Sequence, residues 1–251
     1  MMISLPLAAS ASILLESFWL SDLFGKLIVL ALVVFSILAW TIMLQKWLEL
    51  RNIRADDERF THAFKQQAHP LQLYVESQAH PGSRPFKDSV LWPAYVEACA
   101  TAEREFKARI RHEGRSADAI DITSEKLTLT QIESIRHAAE CGAADQALLV
   151  EESMAFLGSI YTVAPMLGLF GTVWGVMAAF YSMGLNGAAN LSAMAPGMSS
   201  AMLTTFIGLV VAIPSAMGVN SLNARIRFVS IQLENFPELL AGALQRTYIT
   251  D

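Results

Sequence analysis

The side chains with the clearest chemical potential are five hydroxyls, Thr172, Ser199, Ser200, Thr204 and Thr205, set in a stretch without charge. From Ser153 to Ala224, seventy-two consecutive residues include no Asp, Glu, Lys, Arg or His. A proton or ion pathway through a membrane needs a group that exchanges its charge, usually an intramembrane Asp, Glu, Lys or His. This stretch has none. If the chain conducts ions, the titrating carboxylate must come from a second polypeptide, with Thr172 and Thr205 lining the route as hydrogen-bonding hydroxyls. No nucleophile elbow, HExxH, phosphate-binding glycine loop or paired membrane carboxylate occurs, so no enzymatic activity is expected. Cys99 and Cys141 lie outside any CxxC or Cys/His cluster, and the five histidines are scattered through the polar segments. A metal, a cofactor or a disulfide therefore finds no support.

The elements that must position these hydroxyls follow from length. At 1.5 Å per helical residue, the charge-free stretch suffices for roughly two crossings of a ~30 Å hydrocarbon layer, and it reads as a membrane hairpin. The turn is placed near Gly184 to Asn190, where two Gly and two Asn interrupt the apolar run, so one arm ends near Met183 and the other begins near Pro196. Each arm carries a line of small residues at helical spacing: Pro165, Gly168, Thr172, Gly175, Ala179 and Ser182 in the first, Ser200, Thr204, Gly208, Ala212 and Ala216 in the second. Such lines let helix backbones approach closely in lipid, and Gly171 with Gly175 adds a GxxxG pair. Two readings stay open: packing of the arms on each other, or a larger assembly with a polar interior. The hydroxyls favour the second, because buried hydroxyls in lipid need partners or water.

Bulk composition agrees with a membrane protein. Hydrophobic residues make up 53% and charged residues 16%, against about 25% charged in soluble domains. A net charge of −5 and a pI near 5.6 argue against nucleic-acid binding.

Along the chain, residues 1–26 form an N-terminal interfacial segment, with Trp19 and Phe24 near the headgroups. No basic residue opens it, so cleavage as a signal peptide is not expected. Residues 27–45 are the first transmembrane helix, and its helix continues to about Gln67. Residues 46–152 are a polar helical domain: irregular or short helices around Pro70, Pro81, Pro85 and Pro93, a helix from about Ala94 to His112, and another capped by Ser124 and continuous with the second span. Residues 153–224 are the hairpin. Residues 225–251 are an amphipathic helix carrying Ile226, Val229, Leu233 and Phe236, interrupted near Pro237, whose expected task is self-association. Lys46, Arg51, Arg54, Arg59, Arg225 and Arg227 follow the first and third spans, whereas the opposite flanks hold only Lys26. The positive-inside rule puts the N-terminus outside and the middle and C-terminal segments in the cytoplasm. The fold class is an all-α integral membrane protein of three spans with long cytoplasmic helical extensions.

Three segments are similar to the TolQ/ExbB/MotA proton-channel family: the run APMLGLFGTVWGVM from Ala164 to Met177, Ala195-Pro196-Gly197, and GLVVAIP from Gly208 to Pro214. The resemblance covers roughly residues 155 to 225, and the first span by topology alone. It implies a homopentameric collar in the bacterial inner membrane around a single-span partner of the TolR/ExbD type, whose intramembrane aspartate is the protonation site, with a TolA/TonB-like protein as a further partner. Thr172, Thr205, Thr204 and Ser200 are then the proton-pathway residues. Pro165, Gly168, Gly171, Gly175, Pro196, Gly197, Gly208 and Pro214 bend or pack the helices. Ser200 departs from the pattern, since TolQ and ExbB usually carry glutamate there and MotA-like members do not. The arrangement of spans favours TolQ/ExbB over the four-span MotA form. The implied function is conversion of proton motive force into mechanical work on the envelope, of Tol-Pal or TonB type. The alternatives are a non-conducting scaffold, a MotA-like stator subunit using H⁺ or Na⁺, and a secondary transporter, the last disfavoured by the missing inverted repeat.

Overall fold

A computed structural model describes residues 17–19, 21–79, 86–112, 126–185 and 191–249. The helices are α1 (Leu23–Gln66), α2 (Gln72–Ala79), α3 (Leu91–His112), α4 (Leu129–Glu151), α5 (Met154–Leu185) and α6 (Leu191–Tyr248). Among the described residues, three helical stretches are long and apolar enough to cross a membrane. The chain divides into two compact units, one of residues 1–45 and 153–222 and the other of residues 46–152 and 223–251.

In the first unit, α1, α5 and α6 share a small apolar core of Ile28, Leu32, Ala164, Val211 and Ala212, flanked by Phe24, Phe35, Leu167 and Ile207. Their outer faces expose Leu30, Ile37, Met166, Val173, Phe206 and Ile213. That inversion of a soluble surface suits a lipid surround, where exposed apolar side chains cost nothing. Helices α1 and α6 run parallel: Gly25 packs on Ser200 at one end, and Met43 packs on Gly218 at the other. Both intervals are eighteen residues, or about 27 Å of helix, close to the hydrocarbon thickness of ~30 Å. The arms of the hairpin extend beyond that interval, to Leu185 and from Leu191.

In the second unit, α3 and α4 pack antiparallel. A β-carbon on Gly142 would lie 3.0 Å from Ala94 Cα, and Ser134 donates to Glu105 at 3.3 Å further along. Tyr95, Ala98, Cys99, Ala102 and Phe106 of α3 and Ile132, Ile135 and Ala139 of α4 are all buried. A ring cluster of Phe60, Phe64, Phe86, Trp92, Tyr95 and Phe236 joins α1, α3 and α6, with centroids 5.4 to 6.1 Å apart around Phe60. Buried Asp57 organises the start of α3: its Oδ1 accepts from Ser89 Oγ at 2.6 Å, Val90 N at 3.1 Å and Leu91 N at 3.3 Å.

Several boundaries differ from the sequence expectations. Helix α3 begins at Leu91, not Ala94, because Ser89 caps Trp92 N and Pro93 falls in the first turn, where its missing N–H costs nothing. Thr128, not Ser124, caps α4, in a reciprocal capping box with Gln131; Ser124 lies outside the described residues. Helices α4 and α5 are not continuous: Ser153 has φ 71°, a left-handed conformation unusual for serine, and the helix stops at Glu151. Helix α6 starts five residues before Pro196 and continues through Pro214 and Pro237 without the break expected at Pro237. Buried Phe236 and Leu240 flank that proline, and their packing offsets its lost hydrogen bond. The apolar face of the C-terminal segment, expected to self-associate, is instead covered within the chain: Ile226, Val229, Leu233, Phe236, Leu240 and Leu244 are all buried. The expected hairpin turn falls largely on residues 186–190, outside the described residues.

Candidate functional site: the hydroxyl-bearing hairpin

Glycine decides how α5 and α6 meet. A β-carbon on Gly168 would lie 3.1 Å from Thr204 O and Thr205 Cα, one on Gly171 would lie 2.6 Å from Thr204 Cβ, and one on Gly175 would lie 2.8 Å from Ala201 Cβ and Gly197 O. The relation is mutual. A β-carbon on Gly208 would lie 2.8 Å from Ala164 O, and one on Gly197 would lie 2.9 Å from Gly175 O. No side chain larger than hydrogen fits at these crossings, so backbone meets backbone and dispersion contacts replace the hydrophobic drive that lipid removes. The buried face of α5 is therefore Ala164, Gly168, Gly171, Gly175 and Ala179. The line drawn from sequence through Pro165, Thr172 and Ser182 is rotated from it, and those three are only half-buried. On α6 the expected residues Ser200, Thr204, Gly208 and Ala212 are buried, and Ala216 is half-buried.

That contact brings two of the candidate hydroxyls together. Thr205 Oγ1 donates across the hairpin to Gly168 O at 3.0 Å. Thr204, 1% exposed, donates to Ala201 O at 2.8 Å and sits 3.5 Å from the same Gly168 oxygen. Thr172 bonds within its own helix, to Leu169 O at 2.6 Å, and is half-buried. Ser199 shares a 2.7 Å hydrogen bond with Ser17. Ser200 is buried against α1. Pro165, Pro196 and Pro214 are half-buried within continuous helices. The hydroxyls of Thr172, Thr204 and Thr205 thus find acceptors within one chain. Packing between the arms explains the glycines.

Sequence reasoning passed over a carboxylate. Asp22 stands at the head of α1, where its Oδ1 accepts from Gly25 N at 2.9 Å and its Oδ2 from the Trp174 indole at 2.6 Å. Phe24 stacks on Trp174 with centroids 4.4 Å apart and fixes the indole there. The signal available was an Asp directly before an apolar helical run, a helix-start pattern. Among the described residues no group of three or more His, Cys, Asp or Glu is placed to hold a metal ion.

Comparison with known proteins bears on the same residues. The chain is 28% identical over 234 residues to the Tol-Pal system protein TolQ of Haemophilus influenzae, covering 92% of this chain and 93% of that protein. To TolQ of Pseudomonas aeruginosa it is 26% identical over 221 residues, 88% and 87% of the two chains. The biopolymer transport protein ExbB of Salmonella typhimurium is 45% identical over a shorter stretch of 65 residues, 26% of this chain and 27% of that protein. The profile of the MotA/TolQ/ExbB proton channel family matches residues 103–235, from α3 through the whole hairpin and past Phe228. With more than half of its length matched, and with the glycine-paired hairpin inside the match, the chain belongs to the MotA/TolQ/ExbB proton channel family.

Proposed function

We propose that the chain is the channel-forming subunit of an energy-transducing complex in a bacterial inner membrane, of the Tol-Pal or TonB type. Five copies surround a single-span TolR/ExbD-like partner whose intramembrane aspartate carries the proton, and the movement so driven reaches the envelope through a TolA/TonB-like protein. The N-terminus lies outside and the C-terminus in the cytoplasm. One observation carries this reading: α5 and the membrane part of α6 hold threonines at the helix contact and no Asp, Glu, Lys, Arg or His. A conducting route built on such a hairpin borrows its acid from another polypeptide. The names TolQ and ExbB among its relatives support the same assignment.

The experiment is ion-driven output of the complex carrying Thr172→Val or Thr205→Val. Valine keeps the shape and loses the hydroxyl, so assembly persists and output falls. Full output from both variants would remove the threonines from the pathway. Native mass spectrometry of the complex with its partner tests the copy number. A non-conducting scaffold is the second reading, favoured by the satisfaction of the threonine hydroxyls within the chain; it requires both variants to behave as the wild type.

A further inference from the structure

Among the described residues of the first unit, Asp22 and Lys26 are the only charged side chains. Lys26 does not neutralise Asp22: its Nζ lies over the Trp19 ring, 6.0 Å from the centroid, and no ion pair joins the two among the described residues. Asp22 is tied instead to neutral donors, the Gly25 amide and the Trp174 indole. Next to it lies a set of buried hydroxyls. Ser21 donates to Ser17 O at 2.7 Å, and Ser17 shares its hydroxyl with Ser199. Ser200 is 4% exposed, and its hydroxyl has no hydrogen-bond partner among the described residues. A β-carbon on Gly25 would lie 2.8 Å from Ser200 Oγ and 3.0 Å from Asp22 Oδ1, so the two oxygens flank the same side of Gly25. One water suffices to bridge such a gap. Thr204 follows Ser200 by one helical turn on the same face of α6.

We propose that Asp22 is a proton-accepting group supplied by this chain itself, at the α1-start end of the hairpin pathway; this rests on the conducting reading above. The exposed side of its carboxylate takes a proton from hydronium, leaving water and a neutral carboxyl. The carboxyl then returns that proton to a water molecule between it and Ser200, regenerating the carboxylate and passing the charge towards Thr204 and Thr205. Asp22 is the single carboxylate among the described residues of this unit, and a carboxylate in such an apolar setting is the kind of group kept for such transfer.

The competing role is a plain helix cap, and the two roles order the substitutions oppositely. Asn and Ser cap a helix about as well as Asp, whereas Glu is no N-cap residue. A proton acceptor is lost with Asn or Ser and kept with Glu. The test is proton uptake into liposomes containing the full-length chain with its co-purified partner, under an imposed pH gradient, read by an internal pH dye. Asp22→Asn and Asp22→Ser lower the initial rate by about tenfold or more, with unchanged elution of the complex, and Asp22→Glu keeps at least about half of it. Wild-type rates from either the Asn or the Ser variant, beside a conducting wild type, overturn the proposal alone. A wild-type complex that passes no protons overturns the conducting reading and this proposal with it.

Discussion

Thr205 Oγ1 donates to the main-chain oxygen of Gly168 at 3.0 Å, joining α6 to α5 where the absent side chain of Gly168 lets the backbones touch. The hydroxyl thus has a structural task besides any conducting one. Thr205→Val removes this bond and costs about 1 kcal/mol of hairpin stability, while Thr205→Ser restores it. Thermal unfolding of the detergent-solubilised chain measures both. Equal melting temperatures for the wild type and the Val variant would show that the bond adds nothing net.

Gly171 permits no side chain. A β-carbon there lies 2.6 Å from Thr204 Cβ and 3.0 Å from its Cγ2, so Gly171→Ala forces the arms apart and destabilises by about 1–3 kcal/mol. Adding Thr204→Ala recovers part of the loss by clearing the hydroxyl and methyl. Gly184, with open space around it, is the control, and Gly184→Ala is neutral or stabilising by up to about 1 kcal/mol. Similar losses at both glycines would mean that helix contact is not what Gly171 serves.

Asp57 gives a pH dependence with a definite sign. Burial, the largest influence, pushes its carboxyl above the ordinary carboxylate range against the opposing donors Ser89, Leu91 and Val90, with neighbouring Asp56 adding a smaller push upward. Its Oδ2 has no partner among the described residues. With a raised folded-state value, the folded chain still holds this proton when the unfolded chain has released it. The stability contributed is therefore complete below the unfolded value of about 4 and is lost as pH rises through the raised one. Asp57→Asn keeps the acceptor for the α3 amides and carries no charge, so its melting temperature at pH 7 equals or exceeds that of the wild type and its advantage shrinks towards pH 4. Asp57→Ala leaves three donors without their acceptor and costs about 1–3 kcal/mol throughout. An Asn variant that loses stability between pH 5 and pH 7 as steeply as the wild type would rule out Asp57 as the source.

Thr128 holds the first turn of α4 through the capping box with Gln131. Thr128→Ala costs about 1 kcal/mol, and Thr128→Ser costs little. Hydrogen exchange should speed up at Gln131 and Ile132 in the Ala variant and remain slow at Ile135. Uniform acceleration along α4 would point to global rather than local loosening.

Three helices long and apolar enough to cross a membrane and the small-residue character of the hairpin were legible in the sequence, because each depends on counts along one chain. Seventy-two uncharged residues imply two crossings whatever lies beside them. Boundaries were less legible. Ser89 caps α3 with help from Asp57, thirty-two residues away, and Ser153 breaks α4 from α5 through a positive φ that its residue type does not suggest.

What the sequence by itself determined is therefore composition-bound: which segments are apolar enough for lipid, and which lack any charge with which to titrate. Only the tertiary structure decided which small residues touch, since a rotation of one helical position separates the Gly171 face from the Thr172 face, and spacing alone admits both. It also decided where Asp22 lies. A carboxylate 152 residues from Trp174 in the chain becomes its hydrogen-bond acceptor only when α1 docks on α5, and that docking depends on the shapes of three helices together rather than on any one of them.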